Sequence, residues 1–560
     1  MRVSFVHPAG YNFCPGQPDF TLLANRMAPI GILTLSAWLD KHGHETQLVD
    51  CLGPNPPKGI EATVEKVLSF NPDFVGFSTT TSAFLEGYDI ATLIKAKRPS
   101  VKTIFGAVHP SSVGAQLLPA FPNIDYLCIG EGEGAMQDLC DGKPLRSIPN
   151  LVWRDGDKLV SNPRRGRITD LDTLPFPNYK KLDGFPKGYH LPLFSYRKRW
   201  GATMITSRGC PFTCSYCDRT VYERLYKYNS ANYVWEHMKY LRDEFGVHHI
   251  NFYDDLFTAS RKRVIELCET LIKKPLGMDW NCAIRVGHND DDELFSLMKR
   301  AGCLQVSMGI ESADPTLMDR HKTGVKLDEV AEVIKRVHKL GMRAKGLFIF
   351  GLPGETPATF KTTSDWIQTL DVDEMNMTKF TPFYGAPMWH EIIDQEGKEG
   401  FFHEDWRLMN CLNFIYRPAG FESVAQMEQL YNEHVQRFYR GKQYQKRFRA
   451  RIWEHKWTLW HLFKNLPSML AAQRYFKSSH EKPDMLDFKK IPLHPHQPKR
   501  LTAGTTSKTV FEDIDKKYIP KELPKAPEQA DSEAEIQKAK AEATSGITRP
   551  EAFRNPSEAH

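Results

Sequence analysis

Residues 1–145 alternate short apolar runs with stretches of helical period. Residues 2–7 have a strand's length, and 30–42 repeat apolar side chains at helical spacing before closing at Gly43. Residues 45–50, 73–78, 102–106 and 126–130 read as further strands, with helices at 60–69 and 83–97 between them. Such alternation predicts an α/β fold, a doubly wound parallel sheet with ligand sites at the carboxyl ends of its strands. Residues 146–200 read as a connecting segment, with a hairpin at 150–160 turning on Asp155-Gly156. Alternation resumes over 201–385, with six strand-like runs at 203–206, 249–253, 279–283, 304–308, 343–350 and 375–380. Residues 386–478 read as helical and are rich in aromatic and basic side chains. Residues 479–560, full of Pro, Lys, Glu and Ala, are expected to be disordered.

Length and charge narrow the class. A chain of 560 residues predicts about three units on a ~150-residue prior. A formal charge of +6 is small for that length, so no nucleic-acid partner is expected. No run approaches the ~18 apolar residues of a membrane span, and the amino terminus opens on a strand, which together predict a cytoplasmic protein in a reducing compartment.

Eleven cysteines are too few for a disulfide framework in such a chain, and eight of them are scattered, as small buried hydrophobes are. The other three form Cys210-Pro-Phe-Thr-Cys214-Ser-Tyr-Cys217 on one short loop. Structural zinc wants four ligands, usually in two pairs, and no second pair stands at suitable spacing. Three thiolates can instead hold three irons of a cubane and leave the fourth open, so iron–sulfur ligation leads.

CxxxCxxC with an aromatic residue, Tyr216, before the last cysteine resembles the signature of radical S-adenosylmethionine (SAM) enzymes. The resemblance implies a 4Fe-4S cluster on Cys210, Cys214 and Cys217, with SAM chelated at the open iron and cleaved to a 5′-deoxyadenosyl radical. The six-strand alternation then resembles that family's partial (β/α)6 barrel, with reactive residues at the strand carboxyl ends. By the same resemblance Asp254 and Asp255 stand where SAM's amino end is bound, and Arg285 faces SAM. Glu311 reaches the ribose, and Ile349, Gly351 and Glu355 belong to the stretch packed on adenine. A solvated helix cap competes as the role of Asp254-Asp255.

The N-terminal strand ends resemble the Rossmann-like cobalamin-binding domain fused ahead of this barrel in a large class, related to the anaerobic Mg-protoporphyrin cyclases and class B methyltransferases. Ser78 and Thr79, Gly106 and His109, and Gly130-Glu131-Gly132-Glu133 occupy the matching positions, with Ala107 in place of the usual second glycine. Helix capping by Ser78 and Thr79 and an ordinary loop position for His109 are the plainer readings. Residues 8–29 lack the DxHxxG of cobalt-ligating proteins, so no histidine is expected on cobalt. His42 and His44 read as helix-end cations. The loop at 7–29, with Tyr11, Phe13 and Phe20, is expected to cover the lower cobalt face or the substrate entrance.

The resemblance therefore implies a cobalamin-dependent radical SAM enzyme that methylates an unactivated carbon, with oxidative cyclisation or rearrangement as the alternative. A methylthiotransferase would need a second cysteine group, and a non-catalytic zinc module a fourth ligand. Expected partners are a small-molecule or lipid-like substrate and a reductant such as flavodoxin or ferredoxin. The aromatic, basic C-terminal helices are expected to pack on the barrel, with peripheral membrane contact as the sharper alternative.

Overall fold

The computed structural model describes residues 1–10, 25–164, 168, 170–191, 196–223, 226–392, 402–456 and 493–498, apart from 199 and 323, together with 459, 460, 463, 466 and 470. Strand β1 (Arg2–His7) is buried along its middle on both faces, which fits the centre of a parallel sheet and not an edge. It lies between β2 (Glu45–Asp50) and β3 (Phe74–Ser78). β4 (Lys102–Gly106) and β5 (Tyr126–Cys128) follow in the order 2-1-3-4-5, every pair parallel. Helices α1 (Ile30–Lys41), α2 (Gly59–Ser69) and α3 (Thr81–Lys97) make the crossovers. The chain reverses its build direction between β1 and β3, which opens a crevice at their carboxyl ends.

The hairpin expected in the connecting segment does more than connect. β6 (Leu151–Asp155) pairs antiparallel with β5, and β7 (Lys158–Ser161) with β6, so the first sheet has seven strands. Gly156, at φ +60°, makes the turn.

The second sheet runs β8 (Gly201–Met204), β11 (His249–Phe252), β12 (Asp279–Ile284), β13 (Cys303–Glu311), β14 (Arg343–Phe350) and β15 (Glu374–Lys379), all parallel and in sequence order. A short antiparallel pair, β9 (Ser207–Arg208) with β10 (Lys227–Tyr228), flanks the cysteine loop. Along β14, Ala344, Gly346, Phe348 and Phe350 are buried while Lys345, Leu347 and Ile349 are half-buried. This period-two pattern is that of a barrel strand with helices outside and an accessible interior.

Two expectations need correction after β15. Helix does not begin at 386: Met388–Glu391 is one turn, and an irregular strap over 402–421 precedes the helix Val424–Arg440. Pro382, Pro387, Pro418 and Gly420 interrupt this stretch. Its Trp406 is fully buried beside the first sheet, with ring centroids 5.6 Å from Phe84 and 5.8 Å from Phe121. Residues 493–498, expected to be disordered, lie on the same surface. His494 meets Asp89 at 3.0 Å, and the Gln497 side-chain oxygen accepts from Trp406 N–H at 3.0 Å. These specific polar contacts outweigh the composition of the surrounding chain. The remaining expectations for the tail, and those for residues 11–24, fall outside the described residues.

Candidate functional site at the facing strand ends

The carboxyl ends of the two parallel sheets border one cavity of about 520 Å³. Ser78, Gly106 and Gly130 line one side, and Cys210, Cys214 and Cys217 the other. All three cysteines are partly exposed. Burial, then the neighbouring Cys214, push the Cys217 thiol up to about 12. Nearby positive charge is what would hold such a set as thiolates. Among the described residues no three His, Cys, Asp or Glu side chains converge on a single-ion site. Three thiols on one loop, facing open space, are a donor set suited to a cubane with one iron left over.

Arg285 sits beside the cysteines, with Nη1 3.5 Å from Cys214 Sγ and its guanidinium 4.2 Å from the Phe212 ring centroid. Opposite stands Glu311, the last residue of β13. The register with β14 shifts between Gly309 and Glu311, and Glu311 adopts φ +69°. This bulge turns the carboxylate inward, where it accepts from Tyr216 O–H at 3.0 Å and Lys322 Nζ at 2.8 Å. A side chain at Gly309 would come within 2.5 Å of Lys322 Nζ and 2.7 Å of Glu311 Oε1 and would displace the ion pair from this position. Asp255 also lines the cavity and accepts the Gly209 N–H at 3.1 Å. Two carboxylates, two cations and an aromatic hydroxyl thus gather beside three thiols. Such a constellation can grip a zwitterionic ligand bearing hydroxyl groups.

On the other side, Gly106 and Gly130 leave the backbone open. A side chain at Gly106 would touch only Cys128, and one at Gly130 only the Val221 carbonyl, both at 3.6 Å. Gly132 also lines the cavity, as do Glu131 and Glu133. Both carboxylates, however, are engaged by Arg208, at 2.5 Å and 2.6 Å respectively. Burial opposes the Arg208 charge, but Glu133, Tyr222 and Glu131 outweigh it and raise its pKa.

Six expected cofactor contacts are not brought to the cavity. His109 is completely buried with its ring centroid 4.5 Å from that of Trp406 and 4.6 Å from that of Phe84, and burial lowers its pKa to about 3. The reason is local: Ala107 takes φ +75°, ψ −150°, a region essentially reserved for glycine, and the chain there turns the His109 side chain into the aromatic core. Thr79 is buried with its N–H on the Gly106 carbonyl. Asp254 faces the barrel wall, accepting from Thr206 N–H at 2.6 Å and pairing with Arg263 at 3.0 Å. Ile349 packs against the apolar cluster that includes Leu352, Phe380 and Tyr416. Glu355 folds back on the Gly351 N–H at 2.5 Å, fixing the turn in which Gly351 has φ +89°. Burial pushes the Glu355 carboxyl up to about 8.

Sequence reading missed Arg208, Lys322 and His321. Arg208 stands two residues before the cysteine motif, and the paired acids of Gly130-Glu-Gly-Glu133 are its signal. Lys322 follows a short helix with nothing in its spacing to mark it. His321 bonds Ser215 Oγ at 2.9 Å and the Pro353 carbonyl at 2.9 Å, tying down the cysteine loop. His42 and His44 lie at the amino edge of the first sheet, on the Trp38 carbonyl and Asp141, away from the cavity.

Comparison with known proteins agrees with this layout. Residues 204–367 match the radical SAM superfamily and residues 20–140 the B12 binding domain. An uncharacterized methyltransferase of Pyrococcus horikoshii is 28% identical over 426 residues, 74% of this chain and 88% of the relative. The anaerobic magnesium-protoporphyrin IX monomethyl ester cyclase of Rubrivivax gelatinosus is 27% identical over 451 residues, 79% of this chain and 78% of that enzyme. Among solved structures, the radical SAM methyltransferase TsrM of Kitasatospora setae superposes with a TM-score of 0.57 at 19% identity, covering 77% of this chain and 83% of that one, and so shares the fold. Two cofactor domains in the matching order, with their strand ends on one cavity, make the chain a member of the cobalamin-dependent radical SAM enzymes, whose cofactors are a 4Fe-4S cluster, SAM and cobalamin.

Proposed function

We propose that the protein transfers a methyl group to an unactivated carbon of an apolar small-molecule or lipid-like substrate. The observation that carries this reading is one cavity lined from both sets of strand ends: among the described residues, the cysteine side and the glycine side border the same space. The P. horikoshii relative, a methyltransferase by name, also supports it. When bound, the reduced cluster and SAM supply a substrate-activating radical, and the corrinoid supplies the methyl group.

The chain's residues do the rest. Cys210, Cys214 and Cys217 hold the cluster, and Arg285 and Asp255 hold the charged end of SAM. Glu311, oriented by Lys322 and Tyr216, accepts from ribose hydroxyls. Gly106, Gly130 and Gly132 admit the corrinoid to the backbone. Phe212, Leu347 and Val221 line the cavity and keep water from the reacting carbon. A flavodoxin- or ferredoxin-like donor supplies the electron.

The kinship with the cyclase favours oxidative ring formation as a second reading. Product analysis separates them. Methyl transfer yields S-adenosylhomocysteine and 5′-deoxyadenosine together, whereas 5′-deoxyadenosine without S-adenosylhomocysteine would favour cyclisation and sink the first reading.

A further inference from the structure

The C-terminal helices Val424–Arg440 and Lys442–Arg451 are anchored on the barrel by one face. Tyr431 O–H donates to the Met377 carbonyl at 3.0 Å and Tyr439 O–H to the Met375 carbonyl at 2.9 Å. Arg447 reaches Asp373 at 3.1 Å. To this extent packing on the barrel, the plainer expectation, holds. The apolar residues that follow are exposed: Trp453 at 72%, Trp460 at 53%, Phe463 at 77%, Leu466 at 45% and Leu470 at 44%.

Eleven large hydrophobic side chains are exposed among the described residues, and five of them fall in this one stretch. Scattered single exposures are normal on a protein surface, but a concentrated set marks an interaction site. In the sequence they are spaced by three, four or seven residues, the repeat of one apolar helix face.

Charge identifies the partner. Between residues 437 and 477 the sequence has eleven Lys and Arg against a single acid, Glu454, more positive charge than the whole chain's net of +6. Arg440, Lys442, Lys446, Arg449 and Lys456 are exposed. A second copy of this face would meet it with the same charge and be repelled. Nucleic acid would satisfy the cations and stack on the tryptophans, but gains little from Leu466 and Leu470. Aromatic and aliphatic side chains flanked by cations suit the boundary between acyl chains and anionic headgroups. Among the described residues no helix is long and apolar enough to cross a membrane, so the contact is peripheral.

We propose that this face, centred on Trp453, Trp460 and Phe463, binds an anionic phospholipid bilayer surface. The proposal stands whichever reaction the cavity performs.

The test is flotation of the full-length, cofactor-reconstituted protein with vesicles of phosphatidylcholine, alone or containing phosphatidylglycerol. Binding is expected only with phosphatidylglycerol and should weaken with salt. The triple substitution Trp453→Ser, Trp460→Ser, Phe463→Ser should lower the vesicle-bound fraction at least about tenfold. Reversing charge by Lys442→Glu, Lys446→Glu, Arg449→Glu, Lys456→Glu should do likewise. Neither variant touches the cavity, so SAM cleavage should be unchanged in both. Absence of binding to phosphatidylglycerol vesicles would overturn the proposal, as would binding that survives both variants. Capture of a single-stranded oligonucleotide, or dimer formation, by this face without vesicle binding would also overturn it.

Discussion

Arg208 and Glu133 form a buried ion pair at 2.6 Å that fastens the cysteine loop of the second sheet to the strand-end motif of the first. Glu131 completes the fork from the same motif at 2.5 Å. Two acids expected to meet a corrinoid are thus structural partners of the residue two before Cys210. Arg208→Met would leave both carboxylates buried without their cation and cost about 3–5 kcal/mol. Denaturant unfolding of the wild type and the variant measures this; a loss under about 1 kcal/mol would mean that the fork is not formed.

His109 packs against Trp406 and Phe84 instead of facing the cavity. His109→Phe should therefore leave the absorbance spectrum and affinity of bound cobalamin unchanged. The variant should also flatten the acid limb of stability. A histidine lowered from 6.5 to about 3 stays neutral in the fold while the unfolded chain takes up a proton. Its contribution is present above pH 6.5 and lost as pH falls toward 3. A shifted corrinoid spectrum in His109→Phe would place the ring in the cavity after all.

Ala107 holds a backbone conformation that glycine adopts freely. Ala107→Gly should raise stability by about 1 kcal/mol, read as a higher midpoint in denaturant. A lower midpoint would show that the alanine side chain contributes packing that outweighs its backbone strain.

Glu355 has the opposite pH sign. Its carboxyl is raised from 4.5 to about 8 by burial, so the folded state keeps a proton that the unfolded chain loses. That stability is fully present below pH 4.5 and is lost as pH rises through 8. Glu355→Gln, which keeps the shape without the ionisation, should be less sensitive to alkali than the wild type in thermal melts from pH 5 to 9. Equal slopes would contradict the assignment.

Glu311 is turned inward by the bulge and steadied by Lys322. Glu311→Gln should lower 5′-deoxyadenosine formation about a hundredfold while leaving iron and cobalamin content unchanged. Wild-type turnover would remove Glu311 from the SAM site.

Most strands were legible because a doubly covered strand is a largely apolar run, and β1 and β4 begin and end where that run does. The motifs at Cys210 and Gly130 likewise mark strand ends that the structure brings to one cavity. They did not tell where side chains point. Asp254 and Asp255 are adjacent, yet one braces the barrel through Arg263 and the other faces the cavity, because successive side chains diverge. His109 was misread for the same reason, its direction set by the backbone of Ala107. Lys322 depends on a bulge and a glycine distant in sequence, and residues 493–498 on contacts with Trp406 and Asp89. Neither leaves a local trace in composition.

The central claim is that cluster and corrinoid share one cavity. Electron paramagnetic resonance of the anaerobically reconstituted protein, with the cluster reduced and the corrinoid as cobalt(II), tests it directly. Signals broadened by mutual dipolar coupling are predicted, with the coupling lost in Cys214→Ala, which should still bind cobalamin. Two unperturbed spectra simply superposed would contradict the account.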